Sequence, residues 1–311
     1  MQSIIDILGL GCCTVDELLY VEAFPAPDAK VRVLERVRGC GGLTASALVA
    51  AARLGARCAY GAQLGHDEDS RFVAQSLQRE GVDLSHIVWN ENAQPIRSTI
   101  IVDMTHHTRN IFWEKNGVVG AHDELPDAQI IRACRVLFID HYGTAGSIRA
   151  AQIARENGIA VVADLERDNV PRFAELLQLV DHLVVSQRFA LHLTRATNAR
   201  DAVRVLVGGR AAAVVTCGED GCWFASRHDE TPRHFAAFEI DTLDSTGCGD
   251  IFHGAYACEL ARGESLANRV RFASAAAALK ATRRGVQSGA PTRTEVEAFL
   301  RNANANKVSG G

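Results

Sequence analysis

The chain predicts an α/β fold: a central, mainly parallel sheet with helices on both faces, and a small separate β-sheet that forms a lid over one end. Three observations predict it. Strand-like and helix-like patterns alternate through most of the 311 residues. Two pairs of half-exposed strand patterns, at about 15–38 and 96–115, interrupt that alternation. Finally, 311 residues that are 47% hydrophobic can bury a large core.

In order, "IIDILGLGCC" is a short apolar run that ends in glycines, as a buried first strand does. "VDELLYVEAF" and "KVRVLERVRG" alternate apolar with polar residues on either side of the turn "PAPDA" and read as the first lid pair. "LTASALVAAARLG" has helical spacing and a glycine C-cap, and "RCAYGAQLG" is strand-like. "DEDSRFVAQSLQREG" opens on acidic residues and closes on glycine, the charge order a helix dipole favours. "RSTIIVDM" and "RNIFWEK", around "THHT", are the second lid pair. Strand–helix units follow: "RVLFID" with "AGSIRAAQIARENG", "IAVVADLE", "DHLVVS" with "QRFALHLT", and "RDAVRVLVGG" leading into "AAAVVTCG". "HFAAFEIDTL" reads as a strand before "DSTGCGD", and the rest is helical: "GDIFHGAYACELARG", "SLANRVRFASAAAALKATRRG" and "TRTEVEAFLRNAN". There is no internal repeat or long linker, so residues 1–311 read as one domain with a lid, ending in a disordered tail at about 303–311.

Composition excludes several classes. With 33 basic and 37 acidic residues the formal charge is −4, which offers neither a broad basic surface for nucleic acid nor a polybasic membrane anchor. The nine cysteines are scattered in apolar runs without CxxC or Cys/His ligand spacing, so reduced buried thiols are expected rather than zinc. No signal sequence is apparent and no apolar run approaches the roughly 20 residues that span a bilayer. A cytoplasmic protein is expected.

Chemistry concentrates in "DSTGCGD", residues 244–250. In parallel sheets ligands bind beyond the carboxyl ends of strands, where helices begin. Glycines there admit close approach, and successive N–H groups at a helix start, helped by the dipole, suit the charge of a phosphoryl group. Asp250, in the first turn, is placed to take a proton from a hydroxyl nucleophile.

"DSTGCGDIFHGAYA" resembles the C-terminal signature of the ribokinase/PfkB carbohydrate kinase family, "GCGGLTASALVAAARLG" its N-terminal signature, and "FASAAAALKATRRGVQSGAPTRTEVEAFL" its closing segment, in matching order and spacing. The resemblance implies a ribokinase-like fold and ATP-dependent phosphorylation of a sugar-like hydroxyl. Under it Asp250 is the base and the N–H groups of Gly247, Cys248 and Gly249 are the anion hole. Asp16, Gly41, Gly42 and Ser46 take substrate-binding positions; Ser186, Thr216, Gly218, Gly221 and Ser274 take nucleotide-binding ones. Asp244 and Thr246, with carbonyls around Lys280, Arg283, Gly285 and Gly289, match the ligands of a monovalent cation such as K+. The resemblance also implies Mg2+ and a homodimer formed through the lid.

The sequence departs from the family pattern in places. Ser46 stands where the family has asparagine, and Ser186 and Phe189 replace the asparagine and glutamate of a motif associated with magnesium and phosphate. Magnesium is then expected to arrive with ATP, held mostly by phosphates and waters. That loss, and the alanine-rich ending, are similar to the ketohexokinase and bacterial sulfofructose kinase branch. Cys248 replaces a small residue and reads as a side chain small enough for the hole to tolerate; the alternative is that a helix N-terminus lowers its thiol pKa and makes it oxidisable. Among lid cations, Lys30, Arg97, Arg109 and Lys115, one or two would meet an anionic group on the substrate, with Lys30 and Arg109 preferred. His106 and His107 read as solvated turn residues, and His141 and Tyr142 lie at the ligand-facing end of a strand.

The competing readings are a dinucleotide oxidoreductase, a P-loop ATPase, a nucleoside kinase and a non-catalytic sugar or nucleotide binder on the same fold. "GLGCC" lacks the full GxGxxG spacing and GxxxxGK[ST] is absent. A pure binder has no use for Asp250 as base.

Overall fold

The structure, a computed structural model, describes residues 5–309. In chain order, β1 (Ile5–Leu10) enters the core, then β2 (Thr14–Val21) and β3 (Glu35–Gly41) form the first lid pair. Next come α1 (Leu43–Arg53), β4 (Cys58–Tyr60), β5 (Gln63–Leu64), α2 (Glu68–Arg79) and β6 (Val88–Trp89). The second lid pair is β7 (Ile96–Asp103) and β8 (Thr108–Glu114). Strand–helix units continue with α3 (Ala128–Arg132), β9 (Cys134–Asp140), α4 (Thr144–Glu156), β10 (Ala160–Asp164), α5 (Phe173–Gln178), β11 (His182–Ser186), α6 (Gln187–Thr194), α7 (Ala199–Val207) and β12 (Ala212–Thr216). The hairpin β13 (Cys222–Ser226) and β14 (Asp229–Phe235) precedes α8 (Cys248–Ala261), α9 (Leu266–Ala281) and α10 (Arg293–Ser309).

The large sheet runs β14-β13-β12-β11-β10-β9-β1-β4, parallel except for β13 and β14. One apolar cluster packs α1, α8 and α9 on one face and a second packs α4, α6 and α7 on the other. Covering both faces explains why strand runs such as Val161–Ala163 and Leu183–Val185 are apolar without alternation. The lid is a separate four-stranded sheet, β3-β2-β7-β8, whose outermost strand β8 is exposed along its length.

Helices α1 and α8 lie almost backbone to backbone. A Cβ at Gly254 of α8 would stand 2.1 Å from the Ala47 carbonyl oxygen of α1, so only glycine permits the approach. The pair brings two helix N-termini, at Gly42 and Gly247, to one end of the sheet under the lid.

Several expectations need correction. The run "HFAAFEIDTL" is a strand only to Phe235. Beyond it the Leu243 and Asp244 N–H groups donate to the Ala281 carbonyl, which draws the chain away from the sheet edge toward the end of α9. The loop 244–250 therefore follows irregular chain and not a strand. "KVRVLERVRG" pairs only from Glu35, leaving Lys30 in the exposed connection between β2 and β3. "RCAYGAQLG" splits into β4 and β5, and the short helices α3 and α5 lie in segments that gave no helical pattern. Helix α10 continues to Ser309 through most of the segment expected to be disordered, its Asn, Ala and Lys residues extending a helix already begun; Gly310 and Gly311 lie outside the described residues.

Candidate active site

Two cavities meet at the start of α8. The first, about 460 Å³, is lined by Thr216, Gly218, Gly221, Phe238 and Ser274, together with Cys248 and Gly249. The second, a cleft of about 200 Å³ under the lid, is lined by Asp16, Gly42, Ser98, Arg109 and Trp113, together with Gly247, Gly249 and Asp250. Gly249 lines both.

The turn is built by short-range chemistry. The Thr246 N–H donates to Asp244 Oδ1 at 2.8 Å, and Gly247 takes φ 79°, left-handed backbone that glycine adopts without penalty. A Cβ there would press on Val286 at 2.7 Å. A Cβ at Gly249 would meet nothing within 4 Å, so that glycine borders open space. Cys248 N–H donates a long bond of 3.3 Å to Ser245 O, while no backbone partner engages the N–H groups of Gly247 and Gly249 among the described residues. The anion-hole expectation thus finds open donors at Gly247 and Gly249 and a partly committed one at Cys248.

Asp250 is partly buried. Burial first, then Asp164, Glu166 and Asp16, push its carboxyl well above the usual range, and Arg109 alone among the principal influences pulls the other way. Arg109 is held over the site by its Nη1 bond of 2.9 Å to Ser245 Oγ. Asp16 accepts a 2.7 Å bond from Thr14 Oγ1, and burial pushes its carboxyl up to about 6. Gly41 makes room for it, since a Cβ would stand 2.0 Å from Asp16 Oδ2. Asp140 ties the ends of β1 and α1 together, accepting from Cys12 N at 2.7 Å and from Thr44 Oγ1 at 2.8 Å.

Other expected site residues stand elsewhere. Ser46 is fully buried on α1, 3.5 Å from Gln287 Nε2, and does not line the cleft: the Gln287 amide fills the space a longer side chain would occupy. Ser186 caps α6, accepting from Phe189 N at 3.3 Å, and lines neither cavity. Lys30 is exposed and outside the cleft. Arg97 is paired with Asp69 at 2.6 Å on the lid's outer side. His106 pairs with Asp103 at 2.9 Å in the β7–β8 turn. The thiol of Cys248 is pushed up, because burial outweighs Lys280 and Arg109, so a lowered, oxidation-prone pKa is not what the site produces.

The monovalent cation position is also corrected. Lys280 is fully buried, and its Nζ donates to Asp244 O at 2.7 Å and Arg283 O at 3.2 Å, with Asp244 Oδ2 at 3.8 Å. Asp244 is further satisfied by the Tyr20 hydroxyl at 2.9 Å and Gly285 N at 3.0 Å. An ammonium group thus takes up two carbonyls at the position expected to hold K+, those of Asp244 and Arg283, and supplies a positive charge there. Burial pushes Lys280 down and lifts Asp244, but the attraction between them holds Asp244 below its usual value.

Glu166 and Arg167, both at the cleft, escaped the sequence reading. The signal was there: "DLER" closes an apolar strand at the sheet's ligand-binding end.

Residues 6–293 match the pfkB family carbohydrate kinase, and the chain belongs to that family. It is 29% identical over 304 residues to the ribokinase of Haemophilus influenzae, covering 94% of this chain and 98% of that protein. A putative ribokinase from Agrobacterium tumefaciens superposes with a TM-score of 0.87 at 27% identity, over 97% of this chain and 99% of the other. A putative ribokinase II from E. coli, solved with ATP and Mg2+, gives 0.79 at 20% identity, over 96% and 99%. The chain is accordingly an ATP-dependent carbohydrate kinase with the ribokinase-like fold.

Proposed function

We propose that the enzyme transfers the γ-phosphoryl group of ATP to one hydroxyl of a sugar-like substrate, with Asp250 as the base. One observation carries this reading: Gly249 borders both cavities, so the start of α8 is the junction across which a phosphoryl group would pass.

In this reading ATP occupies the cavity lined by Thr216, Gly218, Gly221 and Ser274, and the sugar lies in the cleft against Asp16, Gly41 and Gly42. The E. coli structure with ATP and Mg2+ supports the cofactors. Asp250 orients the hydroxyl and accepts its proton, and its raised pKa makes it a stronger base than a solvated aspartate. The Gly247 and Gly249 N–H groups and Arg109 stabilise charge on the transferring group. No group of three or more His, Cys, Asp or Glu side chains forms a ready metal cage among the described residues. Asp164 and Glu166, whose charges lift Asp250, fit a role in holding magnesium through its waters while ATP phosphates supply most ligands. Magnesium would supply charge neutralisation there. The lid strands β7 and β8 cover the cleft with Ser98, Ile100, Ile111 and Trp113, excluding water that would hydrolyse ATP.

Two further points belong to this reading. The unpaired edge of β8 and its exposed Phe112, which does not line the cleft, support a homodimer formed through the lid. All nine cysteines are unpaired, which supports a reducing, cytoplasmic setting.

The test is Asp250→Asn: turnover falls by about 10²–10⁴ while ATP binding, measured by calorimetry, stays within a few-fold. Near-normal turnover would remove Asp250 as the base.

A further inference from the structure

A third cavity, about 420 Å³, adjoins the sugar cleft and shares Trp113, Tyr142 and Arg167 with it. Its far wall is the N-terminus of α4, which has no side-chain cap and no acidic residue in its first turn. Lys115 lines the cavity, and Arg167 lies at its boundary with the cleft. The Arg167 guanidinium is laid over the Trp113 ring at 4.6 Å and faces Tyr142 at 5.9 Å. Neither Lys115 nor Arg167 forms an ion pair among the described residues, and Asp123 is the one carboxylate in the lining. The cavity therefore carries excess positive charge with its donors uncommitted.

An independent observation points the same way. His141, also in the lining, is 2% exposed, yet neither Nδ1 nor Nε2 has a hydrogen-bond partner. A buried imidazole without partners is costly unless something else satisfies it. Its ring lies 4.4 Å from that of Tyr142, tilted by 34°, and Tyr142 lines both this cavity and the cleft. Burial, and then Arg167, push His141 down to about 3, so it meets a ligand as neutral imidazole with one donor and one acceptor. That combination suits an anionic oxygen beside a hydroxyl.

We propose that this cavity binds an anionic group of the substrate, so that the acceptor is a sugar or polyol bearing a carboxylate or a phosphate-like group remote from the hydroxyl facing Asp250. The proposal rests on the kinase reading for its placement of the sugar. Of the four lid cations the sequence offered for an anionic group, Lys115 lines this cavity, whereas Lys30 lies outside both cavities and Arg109 lines the cleft beside Asp250.

The test compares matched acceptors by ADP release: neutral pentoses and hexoses against the same sugars carrying a terminal carboxylate, phosphate or sulfonate. One anionic class should exceed its neutral counterpart by about 10²-fold in kcat/KM, and which class does so identifies the anion. Arg167→Gln should raise KM for that acceptor by about 10–100-fold, the loss expected for charged hydrogen bonds, with kcat changed far less. Lys115→Gln, at an exposed position that threatens no packing, should act in the same direction but more weakly. A neutral sugar that equals or exceeds every anionic one overturns the proposal, as does an unchanged KM in Arg167→Gln. If wild type releases ADP with no acceptor of either kind, the kinase reading fails instead. The cavity is then judged by calorimetry with inorganic phosphate. Binding abolished by Arg167→Gln upholds it, and binding insensitive to that change, or none, overturns it.

Discussion

Replacing Lys280 by alanine removes an ammonium group that donates at 2.7 Å and 3.2 Å to two carbonyls and lies 3.8 Å from the Asp244 carboxylate, all in the dry interior. Asp244 keeps its bonds from Tyr20, Thr246 and Gly285 but loses its countercharge. Breaking a buried pair from one side costs about 3–5 kcal/mol, because the remaining charge stays buried. For a chain of this size that lowers Tm by roughly 10 °C. The same carbonyls are then free, and the vacated space can admit a hydrated or bare K+. At 100 mM K+, a site with a Kd of about 1–10 mM would return about 1.4–2.7 kcal/mol through mass action. The assay is thermal unfolding and turnover in KCl against tetramethylammonium chloride at equal ionic strength. Wild type should respond to neither salt selectively, whereas Lys280→Ala should regain stability and part of its turnover in KCl alone. Wild-type turnover that rises several-fold with K+, or a variant as stable as wild type, would refute the assignment of Lys280 as an internal cation.

Further outcomes follow from the same geometry. Gly249→Val should leave Tm nearly unchanged, since a Cβ there meets nothing within 4 Å, yet cut kcat by placing methyl groups where the phosphoryl passes; unaltered kinetics would count against the open turn as the transfer point. With Asp250 as the proposed base, the acid limb of kcat/KM should lie above the ordinary carboxylate range, because its pKa is raised by burial and by neighbouring carboxylates. Glu166→Gln removes one of those negative charges, so the base ionises more easily and the limb should move to lower pH; a shift upward would reverse the argument. Ser186→Ala should cost about 1 kcal/mol as a lost helix cap and leave KM for ATP unchanged, as unfolding and steady-state kinetics can check.

The parts of the site legible in the sequence are those built locally. The loop 244–250 makes its own turn through the Thr246–Asp244 bond and the left-handed Gly247, so spacing alone revealed it. Asp16 and Gly41 were placed by motif, and the structure supplies the reason they go together, a glycine that leaves room for a carboxylate. Arg167 was not legible, because its orientation depends on Trp113 of the lid, 54 positions earlier in the chain. Ser46 misled because its surroundings are set by Gln287, 241 residues away. Lys280 appeared in sequence only as a carbonyl donor; that its side chain folds back onto Asp244 is a contact across 36 positions.

The sequence by itself determined the α/β layering, the lid and the glycine turn at 244–250 proposed for phosphoryl transfer, since periodicity, glycine freedom and helix-start chemistry act within a few residues. Tertiary structure decided which charges are paired and which are left open. Lys280 is paired with Asp244 and Arg97 with Asp69, whereas Arg167, laid over Trp113, and Lys115 form no ion pair among the described residues. The physical reason is that a charge's role depends on its neighbours in space and on the water removed around it, and packing alone sets both.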